Sequence, residues 1–174
     1  MEPFAFTCAC CGETVSGLPE IGYDAPAYYH ALSPQERETK AVLAGDLCSI
    51  DQEDFFIRAV CRVPIVGTDR DFGWGVWVSL SEENFKRYVE TFSDTDQSKL
   101  GSMFGWFSNA LPGYPDTLNL QTTVVPQDNN KRPLVYINDA HRDHPLYIEQ
   151  QRGLSRSRLA EIYAENLCPQ SKGG

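Results

Sequence analysis

The sequence predicts an α+β fold: a mainly antiparallel sheet of about four to six strands, with helices packed mostly on one face. Three observations predict it. Segments of strand composition at 55–65 and 74–80, and again at 118–125 and 134–137, are separated by short polar turns. Such turns suit antiparallel neighbours and are too short for the crossover that a parallel pair requires. Helix signals fall between and after these strand pairs instead of alternating with single strands. The chain has 174 residues, 41% hydrophobic and 22% charged, which fits one ordinary domain with a buried core. Residues 1–169 are therefore read as a single domain, with Gln170–Gly174 as a loose tail.

In chain order, Phe4 to Thr7 reads as a short strand running into a cysteine cluster. Residues 13–32 hold Pro19, Pro26, several glycines and the pair Tyr28-Tyr29, and read as an irregular arm packed by its aromatics. Ser33-Pro34 starts a helix, with Ser as N-cap, Pro at the first helical position and Glu36 and Glu38 near the positive end. It is expected to reach Ala44 and to stop at Gly45. Phe55 to Ile65 and Trp74 to Leu80 form a hairpin around the turn 67–71. Ser81 caps a helix to about Phe92, in which Phe85, Tyr88, Val89 and Phe92 share one face. Met103 to Phe107, Leu118 to Val125 and Leu134 to Ile137 read as strands, and Pro145 to Gln151 and Arg156 to Leu167 as helices split by Gly153.

The stretch Cys8-Ala9-Cys10-Cys11-Gly12 carries the clearest chemistry. A Cys-x-x-Cys turn followed by glycine aims two thiolates at one tetrahedral ion while the chain reverses behind them. Cys8 pairs with Cys11, because the adjacent Cys10 points elsewhere. A complete site needs more donors: the expected set is Cys8, Cys11 and Cys48, with His144 of the His141-x-x-His144 spacing as the further group and structural zinc as the ion. The alternative at each position is structural. The thiols could be buried in a tight turn, and His144-Pro145 reads equally well as a helix entry. The six cysteines, with no secretory leader in view, suggest a reducing cytoplasm.

Trp74, Trp77, Phe104, Trp106 and Phe107 fill a strand-rich region. Trp74 and Trp77 fall on opposite faces of one strand, so the sheet is either covered on both sides or binds a partner through an exposed Trp77. The net charge of −9 argues against a nucleic-acid partner and favours a basic protein. No apolar run is long enough for a membrane helix. Phosphate loops, nucleophile elbows, His-Glu-x-x-His and dinucleotide fingerprints are all missing.

Taken together, Cys8 to Gly12, Leu18-Pro19, Asp46 to Asp51, Phe55 to Arg58, Trp74 to Leu80, Leu111 to Leu118 and His144-Pro145-Leu146 with Glu149-Gln150 and Gly153 resemble an uncharacterised bacterial family, a domain of unknown function. In that family a histidine often follows the Cys-Gly step, whereas Glu13-Thr14-Val15 stands there in this chain. The resemblance implies family membership and no activity. The expected function is a non-catalytic protein-binding domain, such as an immunity or inhibitor protein that neutralises a basic toxin. A zinc-dependent enzyme acting on a small molecule is the alternative.

Overall fold

The computed structural model describes residues 4–168; the segment 170–174, expected to be a tail, lies outside the described residues. The chain opens with a small antiparallel hairpin, β1 (Ala5–Thr7) with β2 (Thr14–Ser16). The stretch 13–32, expected as an irregular arm, in fact holds β2, the short β3 (Ile21–Gly22) and the one-turn α1 (Ala27–His30). In α2 (Pro34–Lys40) the Ser33 hydroxyl accepts from the Glu36 amide, and the Glu36 carboxylate accepts from the Ser33 amide, a reciprocal cap.

The helix ends at Lys40, short of the expected Ala44. Ala41–Ala44 is instead β4, and Gly45 lies in a hairpin turn that leads to β5 (Leu47–Ile50). Cross-strand pairing, as of Val42 opposite Ser49, overrides the strong helix propensity of Ala41, Leu43 and Ala44.

The frame is the long antiparallel pair β6 (Asp54–Pro64) and β7 (Asp71–Leu80). Next comes α3 (Glu82–Glu90), capped by Ser81 as expected, then β8 (Met103–Phe107), β9 (Gln121–Val125) and β10 (Leu134–Ile137). The chain continues into α4 (Pro145–Arg152) and α5 (Arg156–Asn166).

The strands run β7-β8-β9-β10-β6, and β6 pairs again with β7, which closes a five-stranded barrel. The closing contact, Leu134 opposite Val60, is parallel, as is β3 against β7. The plain antiparallel sheet is thus corrected to a mixed barrel in which antiparallel pairs still dominate. Sheet twist brings the first and last strands together, and closure removes two exposed edges. Where β3 crosses β7, a Cβ on Gly75 would sit 3.1 Å from the Cα of Gly22. Glycine at both positions lets the two backbones approach this closely without a shift.

Alternation along the strands sorts the side chains. Ile57, Ala59, Cys61, Val63, Trp74, Val76, Val78, Phe107, Val124 and Val135 point inward and are buried. Leu146, Leu154, Leu159 and Ile162 from the C-terminal helical segment join the same core. Gln150 bridges it to β10: it accepts from the Ile137 amide at 2.9 Å and donates to the Val135 carbonyl at 2.9 Å. On the outer face Cys48, Ile50, Phe56 and Trp77 form a second cluster, covered by Tyr23, Tyr29 and Leu32 of the arm. Helices therefore do not account for one covered face and leave the other bare. Trp77 is fully buried, its indole donating to the Tyr23 carbonyl at 2.9 Å, so the exposed-Trp77 expectation falls. In α3 the expected apolar face is only partly realised: Tyr88 is buried, whereas Val89 and Phe92 stay well exposed. Among the described residues no helix is long and apolar enough to cross a membrane.

Candidate functional site

The β1–β2 turn is built as a cysteine knuckle. The Cys8 amide donates to the Glu13 carbonyl at 2.8 Å, and the Gly12 amide donates to the Cys8 carbonyl at 3.0 Å. Gly12 takes a φ of +74°, in the left-handed region where a side chain would be strained. This turn places Cys8 and Cys11 together as expected, while Cys10 is exposed and outside the group.

The third sulfur is Cys168. The last turn of α5 fixes it, its amide donating to the Tyr163 carbonyl at 3.2 Å. The sulfurs of Cys8, Cys11 and Cys168 all lie within 4.8 Å of one another. Zinc–sulfur bonds of about 2.3 Å in a tetrahedron put the sulfurs about 3.8 Å apart, so a small closure of this group fits that ion. Cys8 and Cys168 are buried beside Ala164, with Cys11 and Val15 packed against them.

Local electrostatics also suit a cation. Amides of Cys11 and Cys10 point at the Cys8 sulfur and hold its pKa below the ordinary thiol value against the opposing effect of burial. For Cys11 the Glu13 amide pulls downward, but burial and the neighbouring Cys8 and Cys168 outweigh it, and the net shift is upward. Three thiols so close cannot all ionise unless a positive ion joins them.

The other two expected ligands are elsewhere. Cys48 sits in β5 against Phe56 and Trp77, where burial pushes its thiol up to about 11. His144 is the N-cap of α4: its Nδ1 accepts from the Leu146 amide at 3.1 Å, and its Nε2 lies 3.2 Å from the carbonyls of Pro115 and Asp116. The helix-entry reading of His144-Pro145 describes this position. The His141 ring accepts from the Gln121 amide at 3.0 Å, so the His-x-x-His pair serves the backbone. Cys168 was not singled out from the sequence, because only the packing of α5 against the hairpin brings the two ends of the chain together.

A second titratable group joins α4, α5 and the loop 111–115. Tyr114 donates to the Glu149 carboxylate, which also accepts from Arg158 Nε at 2.8 Å, and Arg158 donates on to the Gly113 carbonyl at 2.8 Å. Burial and the Glu149 carboxylate raise the Tyr114 phenol far above its ordinary range. Its named polar groups satisfy one another, as in a structural strut.

On the opposite side of the sheet, β8 turns Phe104 and Trp106 outward, 45% and 42% exposed, with ring centroids 5.0 Å apart. Thr123 of β9 pairs with Phe104 on one side and with Tyr136 of β10 on the other. Tyr136 is itself 42% exposed. The alternation Met103, Gly105, Phe107 inward and Phe104, Trp106 outward was the sequence signal for this face.

A small mixed barrel with three thiols gathered at its first hairpin is the class that fold and site define. A family model described as "Uncharacterized protein conserved in bacteria (DUF2199)" matches residues 7–154, and the chain belongs to that family. The match encloses Cys8 and Cys11, and α5 with Cys168 follows it. No curated protein and no solved structure matches the chain.

Proposed function

We propose that this chain is a non-catalytic protein-binding domain whose partner is basic, as an immunity or inhibitor protein facing a basic toxin would require. The observation that carries it is the outward row Phe104, Thr123 and Tyr136, extended by Trp106: large aromatics grouped on one strand face instead of scattered. Aromatic anchors of this kind dominate protein interfaces. The net charge of −9 favours a partner of opposite sign. Zinc on Cys8, Cys11 and Cys168 has the role of a fastener in this reading. Among the described residues that metal-binding group contains only sulfur, so neither a histidine nor a carboxylate stands in it as an acid or base.

The zinc-enzyme alternative has one observation in its favour, the fourth tetrahedral position that three sulfurs leave open. Cobalt substitution separates the two: a spectrum indifferent to added small anions supports the fastener, and a shifting one supports an exchangeable site.

For the binding function itself, the tagged chain is expressed in its own host beside a Phe104→Ser, Tyr136→Ser variant. A single basic protein retained in stoichiometric amount by the first, released by salt and lost by the second, is the expected result. Retention of nothing, or equal retention by both, contradicts the reading.

A further inference from the structure

We propose that the cleft between Tyr28, Phe56 and Trp106 is an arginine-binding site, into which the basic partner inserts one guanidinium group against Asp54. The inference rests on the protein-binding reading above and names its anchor point.

The site follows from strand register. Phe56 of β6 pairs with Ser79 of β7, and Ser79 pairs with Trp106 of β8, so these three side chains form one row across the outer face. The small serine in the middle leaves a trough with exposed Trp106 on one side, while Phe56, itself buried, backs the other side behind the exposed Tyr28 ring. Tyr28 comes from the arm and stacks on Phe56, centroids 6.0 Å apart and planes 29° from parallel. Its hydroxyl is fixed by the Asn119 carboxamide oxygen at 2.6 Å. These residues, with Asp54, line an open cleft of about 460 Å³.

The charge at the mouth selects the occupant. Asp54 lies two residues before Phe56 on the same strand, hence on the same face. It is exposed and takes part in no ion pair among the described residues. The turn leading into it adds exposed Asp51 and Glu53. No Lys or Arg lines the cleft. Aromatic faces attract a cation through their quadrupole, indole most strongly, and a carboxylate accepts the two parallel N–H groups of a guanidinium. Arginine is favoured over lysine because its flat group can stack on Trp106 while its edge meets Asp54. An uncharged apolar side chain would leave Asp54 facing it unpaired.

The probe is a glycine-flanked peptide with one arginine, compared with the same peptide carrying citrulline, which keeps the shape and loses the charge. Trp106 is the exposed indole, while Trp74 and Trp77 are fully buried, so its indole N–H resonance reports on the cleft. The arginine peptide is expected to shift that resonance saturably and to bind about tenfold more tightly than the citrulline peptide. Asp54→Asn is expected to remove most of that difference, and Trp106→Ala, followed through the Asn119 side-chain resonances, to abolish binding. Val66→Ser, at the exposed turn at the far end of the β6–β7 hairpin from Asp54, should leave binding unchanged. Equal affinity for the two peptides, or arginine binding indifferent to Asp54→Asn and Trp106→Ala, overturns the site while leaving a basic partner possible elsewhere. Failure of the wild-type chain to bind the arginine peptide also overturns it, and the co-purification above then decides separately whether a basic partner exists.

Discussion

Two sets of cysteines in this chain share a side chain and differ in almost everything else. Cys8, Cys11 and Cys168 stand at a tight turn and a helix end, where backbone amides reach the sulfur of Cys8. Cys48 and Cys61 lie within the sheet, one on its outer face and one inside the barrel, among apolar neighbours. Burial pushes these two thiols up to about 11 and about 12. The comparison teaches that burial alone makes a cysteine a small apolar residue, whereas burial beside amide donors and other sulfurs suits it to hold a metal ion.

The largest expected effect comes from the metal. With free zinc held about 1,000-fold above its dissociation constant, chelation should cost about 4 kcal/mol, a fall in Tm of about 10 °C for a chain of this size. Calorimetry with and without chelator, with metal analysis of the same sample, measures it. Cys168→Ser should reproduce the loss and Cys48→Ser should retain the metal; the reverse pattern would return Cys48 to the ligand set.

A smaller effect is expected inside the barrel. Cys61→Ser places a hydroxyl where Gln150 Nε2 approaches the sulfur at 3.4 Å but the remaining surroundings are apolar. The expected cost is about 2 kcal/mol by urea unfolding, with metal content unchanged.

The smallest effect is one of sign. The raised values of Cys48 and Cys61 mean that the stability they lend is fully present below their ordinary 9.0 and is lost as pH rises toward about 11 and about 12. The lowered value of Cys8 in the metal-free protein acts oppositely: its contribution is present above 9.0 and fades as pH falls through its folded value. The stability gap between wild type and Cys61→Ala should therefore narrow from pH 9 to 11. The gap for metal-free Cys8→Ala should widen from pH 7 to 9. Urea midpoints across this range test both, and gaps moving in the same direction would erase the contrast.

What was legible in the sequence was local. Ser33-Pro34 with Glu36, Ser81 and His144-Pro145 all cap the helices they announce, because a cap is settled within a few residues. The β6–β7 hairpin was equally plain from its β-branched and aromatic residues, and its register runs unbroken from Pro64 opposite Asp71 to Phe55 opposite Leu80. Barrel closure was not legible. It rests on Val60 meeting Leu134 in parallel, a pairing that no periodicity announces. Half of the metal site was readable because Cys8 and Cys11 share one turn. The other half was not, because Cys168 arrives through the packing of α5 on β1 and the β1–β2 turn. Cys48, the expected third sulfur, is withheld by the arm that buries it beside Trp77.

The placement of that third sulfur also sets an order of events during synthesis. Cys8 and Cys11 leave the ribosome early, and every strand of the barrel is made before Cys168 follows, an interval on the order of ten seconds. A nascent chain therefore carries an incomplete pair of thiols for the whole time its sheet is forming. A zinc ion on all three sulfurs would be gained only after α5 has docked on the β1–β2 hairpin, and its retention would then record that docking.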